Sequence, residues 1–161
     1  LDLAGIDAVI GVGDGSWPGL QAHHIRDETV LPVSNADIAQ KKSSRTADDV
    51  VEHLLLQVAA RPDTWRRWFV EQGLPLDCMR LGPQFELTSH LTQALVSGLG
   101  IGLLPTFLVQ DELRSGVLMP FVDLPFNTGA SYYLWVAAEK LQLPPIAAFV
   151  RWLEEERELE A

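Results

Sequence analysis

The stretch that decides the fold class is residues 85–105, FELTSHLTQALVSGLGIGLLP. Its first three residues, 85–87, are typical of a strand, and Thr88 or Ser89 can cap the helix that follows. A glycine ends that helix, and residues 101–104 form the next apolar strand. A strand, a helix and a second strand joined by turns this short predict a βαβ unit with parallel strands.

The same stretch lies within residues 87–110, the longest part of the chain that lacks Asp, Glu, Lys and Arg. Its length would suit a membrane-spanning helix. However, glycines, a proline and several polar side chains interrupt it, and glycine and proline so placed are typical of turns between shorter elements. We therefore predict a helix, a turn and a strand in the core of a soluble domain, with no membrane as a partner.

Working outward, strands continue to alternate with helices through short turns. Further strands are predicted at residues 54–58, 117–122 and 132–137. Helices are predicted after caps at Asp63-Thr64 and at Thr106, and a last helix begins at Pro144-Pro145. The buried face of the first of these helices is predicted to be Trp65, Trp68 and Phe69. This alternation indicates an α/β fold.

The first 35 residues follow a different pattern. Residues 6–12 and 24–34 are typical of strands, and no helix is predicted between them. Pro32 within the second of these runs indicates an edge position or a break in the strand, because proline lacks the N–H that a central strand needs.

Charge and cysteine content exclude several classes of function. The 161 residues include 12 Lys and Arg against 22 Asp and Glu, which gives a formal net charge of −10. Such a surface repels phosphate backbones, so these residues alone are not expected to bind duplex DNA. The single cysteine, Cys78, excludes an intrachain disulfide and a multi-cysteine zinc site.

Catalytic and cofactor motifs are weak throughout the sequence. The glycine runs at 11–15 and 98–102 do not fit the spacing of a dinucleotide or phosphate loop, so tight turns and close packing explain them better. The histidines lack the spacing of a metal site, and Ser89-His90 is not set in a G-x-S-x-G turn. Asp27-Glu28 is interpreted as a solvated acidic pair. We expect no metal, no cofactor, no catalytic residue and hence no enzyme.

One position has the chemistry of a binding site. Thr88, Ser89 and His90 follow a strand and begin a helix, where backbone N–H groups lack acceptors and the helix dipole is positive. Such a helix start can bind a carboxylate or another small anion. In open α/β sheets, ligands bind beyond the carboxyl ends of the strands. Plain helix capping explains the two hydroxyls equally well, and both interpretations stay open at this point.

Residues 6–20, IDAVIGVGDGSWPGL, resemble the D-A-I-R-x-G-D-G-x-W-P-G-L stretch of LysR-type transcriptional regulators. The subgroup it resembles contains the glycine-cleavage activator and the β-lactamase regulators. Further landmarks follow in the family's order, and they lie at residues 31–34, 65–73, 85–88, 94–102, 113–116, 118–121, 132–134 and 149–153. Their order and spacing cover nearly the whole chain.

The resemblance implies a fold of the type II periplasmic-binding-protein kind, with two lobes. Residues 1–27 and 139–161 would form an incomplete first lobe, and residues 28–138 would form the second. The family also has an N-terminal winged helix-turn-helix that binds DNA. Neither that module nor the first strand and helix of the first lobe is present in these residues, so we expect an N-terminal truncation.

The resemblance also implies which residues contact an effector. Thr88 and Ser89 match a turn that carries hydroxyl groups, with His90 beside them, and Tyr132 matches an aromatic residue near the cleft. Gly13 and Asp14 match the cleft rim of the first lobe. The sequence departs from the family pattern at Val12 and at Glu86-Leu87.

The function so implied is that of a cytoplasmic effector-sensing and oligomerisation domain. A small, anionic metabolite would bind between the lobes and alter DNA binding by the absent helix-turn-helix, in a homodimer or homotetramer. The alternative is a periplasmic solute receptor of the same fold. A helix-turn-helix ahead of this sequence would indicate the regulator, whereas a signal peptide would indicate the receptor.

Overall fold

The computed structural model describes residues 5–160, with side chains described up to residue 157. The chain forms two compact units, which are considered separately. Unit 1 contains the described residues up to Glu28 and from Gly129 onward, and unit 2 is Thr29–Thr128. Residues 1–4 and 161 of the expected first lobe lie outside the described part.

Seven strands run in the order β1 (Ala8–Gly13), β2 (Leu20–Asn35), β3 (Leu55–Val58), β4 (Leu81–Phe85), β5 (Ile101–Pro105), β6 (Leu118–Pro120) and β7 (Phe126–Ala137). The α-helices are α1 (Ala36–Ala39), α2 (Thr64–Glu71), α3 (Thr88–Val96), α4 (Gln110–Ser115) and α5 (Pro144–Glu160). None of the helices within residues 5–160 has the length and hydropathy to cross a membrane.

In unit 2 the strand order is β2, β5, β3, β4, with β6 also paired to β2. Strand β3 lies parallel to both β4 and β5. The predicted βαβ unit is therefore confirmed: β4, α3 and β5 follow one another in the chain, and β3 lies between the two strands. Strand β2 runs antiparallel to β5 and to β6, so the sheet is mixed.

The core of unit 2 has two apolar clusters, one on each face of its sheet. Leu55 belongs to the cluster that contains the aromatic face of α2, and the next residue, Leu56, belongs to the cluster that contains Leu91 and Leu95 of α3. Successive residues of a strand point to opposite faces, so the two clusters flank the sheet. The predicted buried face of α2 is confirmed, since its three aromatic side chains are fully buried.

In unit 1, β1 lies antiparallel to β7, and β7 lies next to β2. Helix α5 covers one face: Leu134 and Val136 of β7 are buried with Val150 of α5. Trp135, which lies between those two strand residues, points to the opposite face and packs edge-on against Trp17.

The expected break at Pro32 is wrong. Strand β2 continues through this residue, which pairs with Leu103 of β5. The Pro32 carbonyl accepts a hydrogen bond of 2.8 Å from the Phe121 N–H. The N–H and C=O of one strand residue point the same way, so the N–H that proline lacks would face β6, and the ladder with β5 is unaffected.

Two expected helix caps are wrong, and a third is confirmed in position. The N-cap of α3 is Leu87, so Thr88 and Ser89 lie inside the first turn. Asp63 is the N-cap of α2, as expected, although its side chain makes no capping bond. Thr106 begins a short 3₁₀ turn, and α4 starts only at Gln110. Helix starts read from sequence are accurate to a few residues only, because several neighbouring polar residues can serve as the boundary.

The division between the units lies inside β7, between Thr128 and Gly129. The lobe boundary expected from the sequence falls at 138/139, just beyond the end of that strand. The two positions differ because β7 is longer than the strand predicted at 132–137 and passes from one unit into the other. The first boundary, expected at 27/28, lies beside the division at Glu28 and Thr29.

Candidate functional site

The N-terminus of α3 lies at the carboxyl end of β4, as the sequence predicts. Strand β4 ends at Phe85, and after two intervening residues the helix begins at Thr88. The first helical hydrogen bond runs from the Leu91 N–H to the Leu87 carbonyl, at 3.2 Å. The N–H groups of Thr88, Ser89 and His90 precede that bond and have no acceptor within the helix. They form the positively polarised N-terminal end of a helix that is nine residues long.

The side chains at this helix end are available rather than engaged in capping. Ser89 and His90 are exposed, and Thr88 is half-buried. The hydroxyl of Thr92 donates to the Thr88 carbonyl at 2.9 Å, so it is used within the helix. No side-chain capping bond is made at this end, and the first turn contains no acidic residue. A small anion would therefore meet free N–H groups without a competing carboxylate in that turn.

Unit 1 contains the other predicted site residues. Gly13 pairs with Ser131 and Val12 pairs with Tyr132 in the ladder between β1 and β7, so Gly13 and Tyr132 are close neighbours. Asp14 follows directly, and its Oδ1 accepts a 2.9 Å hydrogen bond from the Ser16 N–H. Asp14 is exposed and shapes the turn after β1. The structure thus brings Gly13, Asp14 and Tyr132 together within unit 1, and Thr88, Ser89 and His90 together within unit 2.

The glycines at 98–102 are required by packing, as the sequence analysis expects. Gly98 has a left-handed φ of 79° just after the end of α3. A Cβ on Gly100 would lie 2.2 Å from the Leu54 carbonyl oxygen, and one on Gly102 would lie 2.8 Å from a methyl of Leu95. Both distances are too short for a carbon atom. Gly100 needs to be glycine because the clash would be with backbone, whereas at Gly102 the Leu95 side chain would have to shift.

Sequence reasoning missed a polar cluster on unit 1. Asp27 Oδ1 accepts from the Ser131 hydroxyl at 2.8 Å and lies 2.9 Å from His24 Nε2. The hydrogen bond with His24, followed by that with Ser131, lowers the pKa of the Asp27 carboxyl. His24 lies three residues before Asp27, but Ser131 is 104 residues away, and only the pairing of β2 with β7 brings it to Asp27. No local pattern could therefore have indicated the complete cluster.

The interpretation of Asp27-Glu28 as a solvated pair holds for Asp27 only. Asp27 is exposed, but the neighbouring Glu28 is buried, with 3% of its surface accessible. In unit 2, the carboxylate of Asp49 accepts from Lys42 Nζ at 2.6 Å and from the Thr46 N–H at 2.8 Å. Lys42, and then Thr46, hold the pKa of Asp49 below its usual value.

Within the described residues, no three His, Cys, Asp or Glu side chains are grouped so that they could hold a metal ion.

A sequence profile of the LysR substrate-binding domain matches residues 3–158. The chain belongs to the LysR substrate-binding domain family. Two curated relatives of this LysR domain are the HTH-type transcriptional regulator TrpI of Pseudomonas aeruginosa and the glycine cleavage system transcriptional activator of Escherichia coli K12. The first is 32% identical over 158 residues, with 94% of this chain and 52% of the relative covered. The second is 33% identical over 150 residues, with 92% of this chain and 48% of the relative covered.

The LysR domain also matches the crystal structure of the effector domain of the transcriptional regulator AmpR of Pseudomonas aeruginosa. The TM-score is 0.85 at 26% identity, and the match covers 100% of this chain and 77% of that chain. The expected mixed α/β fold of the periplasmic-binding-protein type is confirmed. These relatives are transcriptional regulators and not enzymes, which favours the regulator over the solute receptor. The LysR domain described here spans about half the length of the curated relatives it matches.

Proposed function

We propose that this LysR domain senses a small molecule that carries a carboxylate and converts its binding into a change in transcription. The anionic group would bind at the N–H groups of Thr88, Ser89 and His90. The single observation that supports this position is the uncapped, exposed helix start at the carboxyl end of a parallel strand. A carboxylate there gains the charge-assisted hydrogen bonds that an N-terminal turn offers.

The compact units are proposed to be the two lobes that the resemblance implies. Tyr132, Gly13 and Asp14 would then contribute from the first lobe. A ligand that binds one arrangement of the lobes more tightly than another shifts the population toward it. That shift is proposed to alter the geometry of a dimer or tetramer and so the DNA contacts of an N-terminal helix-turn-helix. This role places the protein in the cytoplasm, where the DNA is.

Ligand binding can be tested by thermal unfolding of the chain with a panel of amino acids and other small carboxylic acids. A ligand at 100 times its Kd stabilises a protein by about 2.7 kcal/mol, which raises Tm by about 5–10 °C for a chain of this size. The uncharged amide of each active acid is the matched ligand control and should lose most of the shift. If no carboxylate raises Tm more than its amide, the proposed anion preference is wrong.

The position of the site can be tested with Ser89→Phe, which fills the helix end. Ser97→Phe is the matched control, since Ser97 lies exposed at the other end of α3. In the full-length regulator we expect Ser89→Phe to abolish effector-dependent transcription and Ser97→Phe to retain it. An unchanged response of Ser89→Phe at normal protein levels would rule out this helix end as the effector site.

A further inference from the structure

Two strands pass from one unit to the other, and they do so side by side. Strand β2 crosses between Glu28 and Thr29, and β7 crosses between Thr128 and Gly129. At that point β7 departs from regular extended geometry, because Gly129 has a φ of 74°. A left-handed residue inside a strand produces a local kink, and only glycine adopts it without strain. The crossing of β7 thus contains a natural point of bending.

Just beyond the kink, a side-chain contact joins the two crossing strands. The Ser131 hydroxyl of β7 donates to Asp27 Oδ1 of β2 at 2.8 Å. The same carboxylate oxygen lies 2.9 Å from His24 Nε2. The His24 ring in turn packs edge-on against Tyr133, with ring centroids 5.4 Å apart. All four residues belong to unit 1. The contacts therefore join β2 and β7 within unit 1, close to the point where each strand passes into unit 2.

This trio is not arranged for nucleophilic catalysis. In a nucleophile–base pair the hydroxyl donates to the imidazole, and the carboxylate orients the imidazole from its other side. Here the hydroxyl and the imidazole both contact the same oxygen of Asp27. The carboxylate is the centre of the cluster, which is the arrangement of a structural tie.

We propose that Asp27 clamps β7 to β2 at the unit 1 side of the crossing and confines local opening of β7 to residues 128–130. The clamp is a conformational device that does not depend on the identity of the effector. A carboxylate that accepts two hydrogen bonds holds its partners more firmly than neutral acceptors do. Without it, the disturbance that starts at Gly129 would extend along β7 through Ser131 to Tyr133.

Hydrogen exchange of the backbone amides, followed by mass spectrometry, measures this directly. In Ser131→Ala the amides of residues 131–133 should exchange about fivefold faster than in the unaltered chain, as expected when a locally opening segment loses one hydrogen bond. Ser115→Ala is the matched control, because the Ser115 hydroxyl also donates one hydrogen bond, to the Glu112 carbonyl in α4. It should leave the exchange of β7 unchanged. Equal exchange in Ser131→Ala and the unaltered chain would overturn the clamp.

A double-substitution cycle separates the clamp from any general effect of losing Asp27. Asp27→Ala should accelerate the same amides by a similar factor, and the double variant should be no faster than either single variant. Asp27→Asn keeps an acceptor for Ser131 without the charge, so its effect should be smaller. If the two alanine variants instead add independently, Asp27 and Ser131 do not act as one unit and the proposal is wrong. Far-UV circular dichroism is recorded for every variant to check that it folds, and we expect each spectrum to match that of the parent.

Discussion

Unit 2 encloses its sheet between two apolar clusters, whereas among the described residues of unit 1 a helix covers one face of the strands. The clusters of unit 2 contain thirteen and eight buried residues, while the described cluster of unit 1 contains three. On the other face of unit 1 the rings of Trp17, Tyr133 and Trp135 pack on one another and over glycines of β1. Buried apolar area is the main favourable term in folding, so the largest losses of stability on substitution are expected in unit 2.

The largest effect is expected where unit 2 is most tightly packed. Gly100→Ala would place a carbon 2.2 Å from the Leu54 carbonyl oxygen, which is backbone and has little room to move. We expect a loss of about 3 kcal/mol in the free energy of unfolding. The counterpart in unit 1 is Gly11→Ala, whose added carbon would lie 3.3 Å from the edge of the Trp135 ring and should cost less than about 1 kcal/mol.

Urea unfolding monitored by far-UV circular dichroism compares the two alanine variants. Gly102→Ala provides an intermediate case, because its new carbon meets a methyl group of Leu95 that can shift. Similar losses for the variants at positions 100 and 11 would show that the two units are packed equally tightly, contrary to the comparison.

A smaller effect separates two buried tryptophans. The Trp65 indole N–H donates to the Leu56 carbonyl at 2.8 Å, whereas the buried Trp135 indole nitrogen has no hydrogen-bond partner among the described residues. Trp65→Phe removes a hydrogen bond and leaves a void, so we expect a loss of about 2–3 kcal/mol. Trp135→Phe removes an unsatisfied donor, which offsets part of the lost packing, and should cost about 1 kcal/mol or less.

Both variants are measured by the midpoint of urea unfolding, with the slope checked to be unchanged. The comparison is supported if Trp65→Phe loses clearly more free energy of unfolding than Trp135→Phe. The comparison is wrong if Trp135→Phe loses more free energy of unfolding than Trp65→Phe, since the Trp135 indole N–H would then contribute to stability.

The smallest effect concerns pH. Burial of the half-buried His53 ring, followed by repulsion from Arg45, lowers the pKa of this histidine below its ordinary value of 6.5. The unfolded state then binds a proton more readily than the folded state, so His53 reduces the stability of the chain as the pH falls below 6.5. The stability of His53→Gln relative to the unaltered chain should therefore increase as the pH falls from 7 to 5.

Asp27 in unit 1 provides the contrast, since its pKa is lowered from 3.8. Its contribution is present above pH 3.8 and is lost only as the pH falls further, through the folded pKa. The stability differences from the parent should accordingly change with pH in separate ranges, below pH 6.5 for His53→Gln and only below pH 3.8 for Asp27→Asn. A change for both in the same range would contradict the assignment of the two groups.

The sequence was sufficient for the regular part of the fold and for the position of the helix end. The period-3.6 aromatic residues of α2 and the strand, helix and strand around Thr88 were predictable because local pattern and burial agree. The continuation of β2 through Pro32 was not predictable, because a strand tolerates proline only where the missing N–H faces away from the ladder that holds the strand. The Asp27 cluster and the burial of Glu28 were not predictable either, since both arise from pairing between distant strands. The predicted effector contacts remain a proposal that rests on the exposed helix end.

Strand β4 is the outermost strand of unit 2 in the sheet order, and such an edge is a template for strand addition by another molecule. Its pairing with β3 shifts register between Leu55 and Gln57, and Gly82 and Pro83 stand opposite that shift. The irregularity makes the strand less regular, and Pro83 offers no N–H to a partner. An irregular edge that contains proline is a poorer template for an added strand than a flat, regular one, so this feature of β4 disfavours polymerisation through that edge.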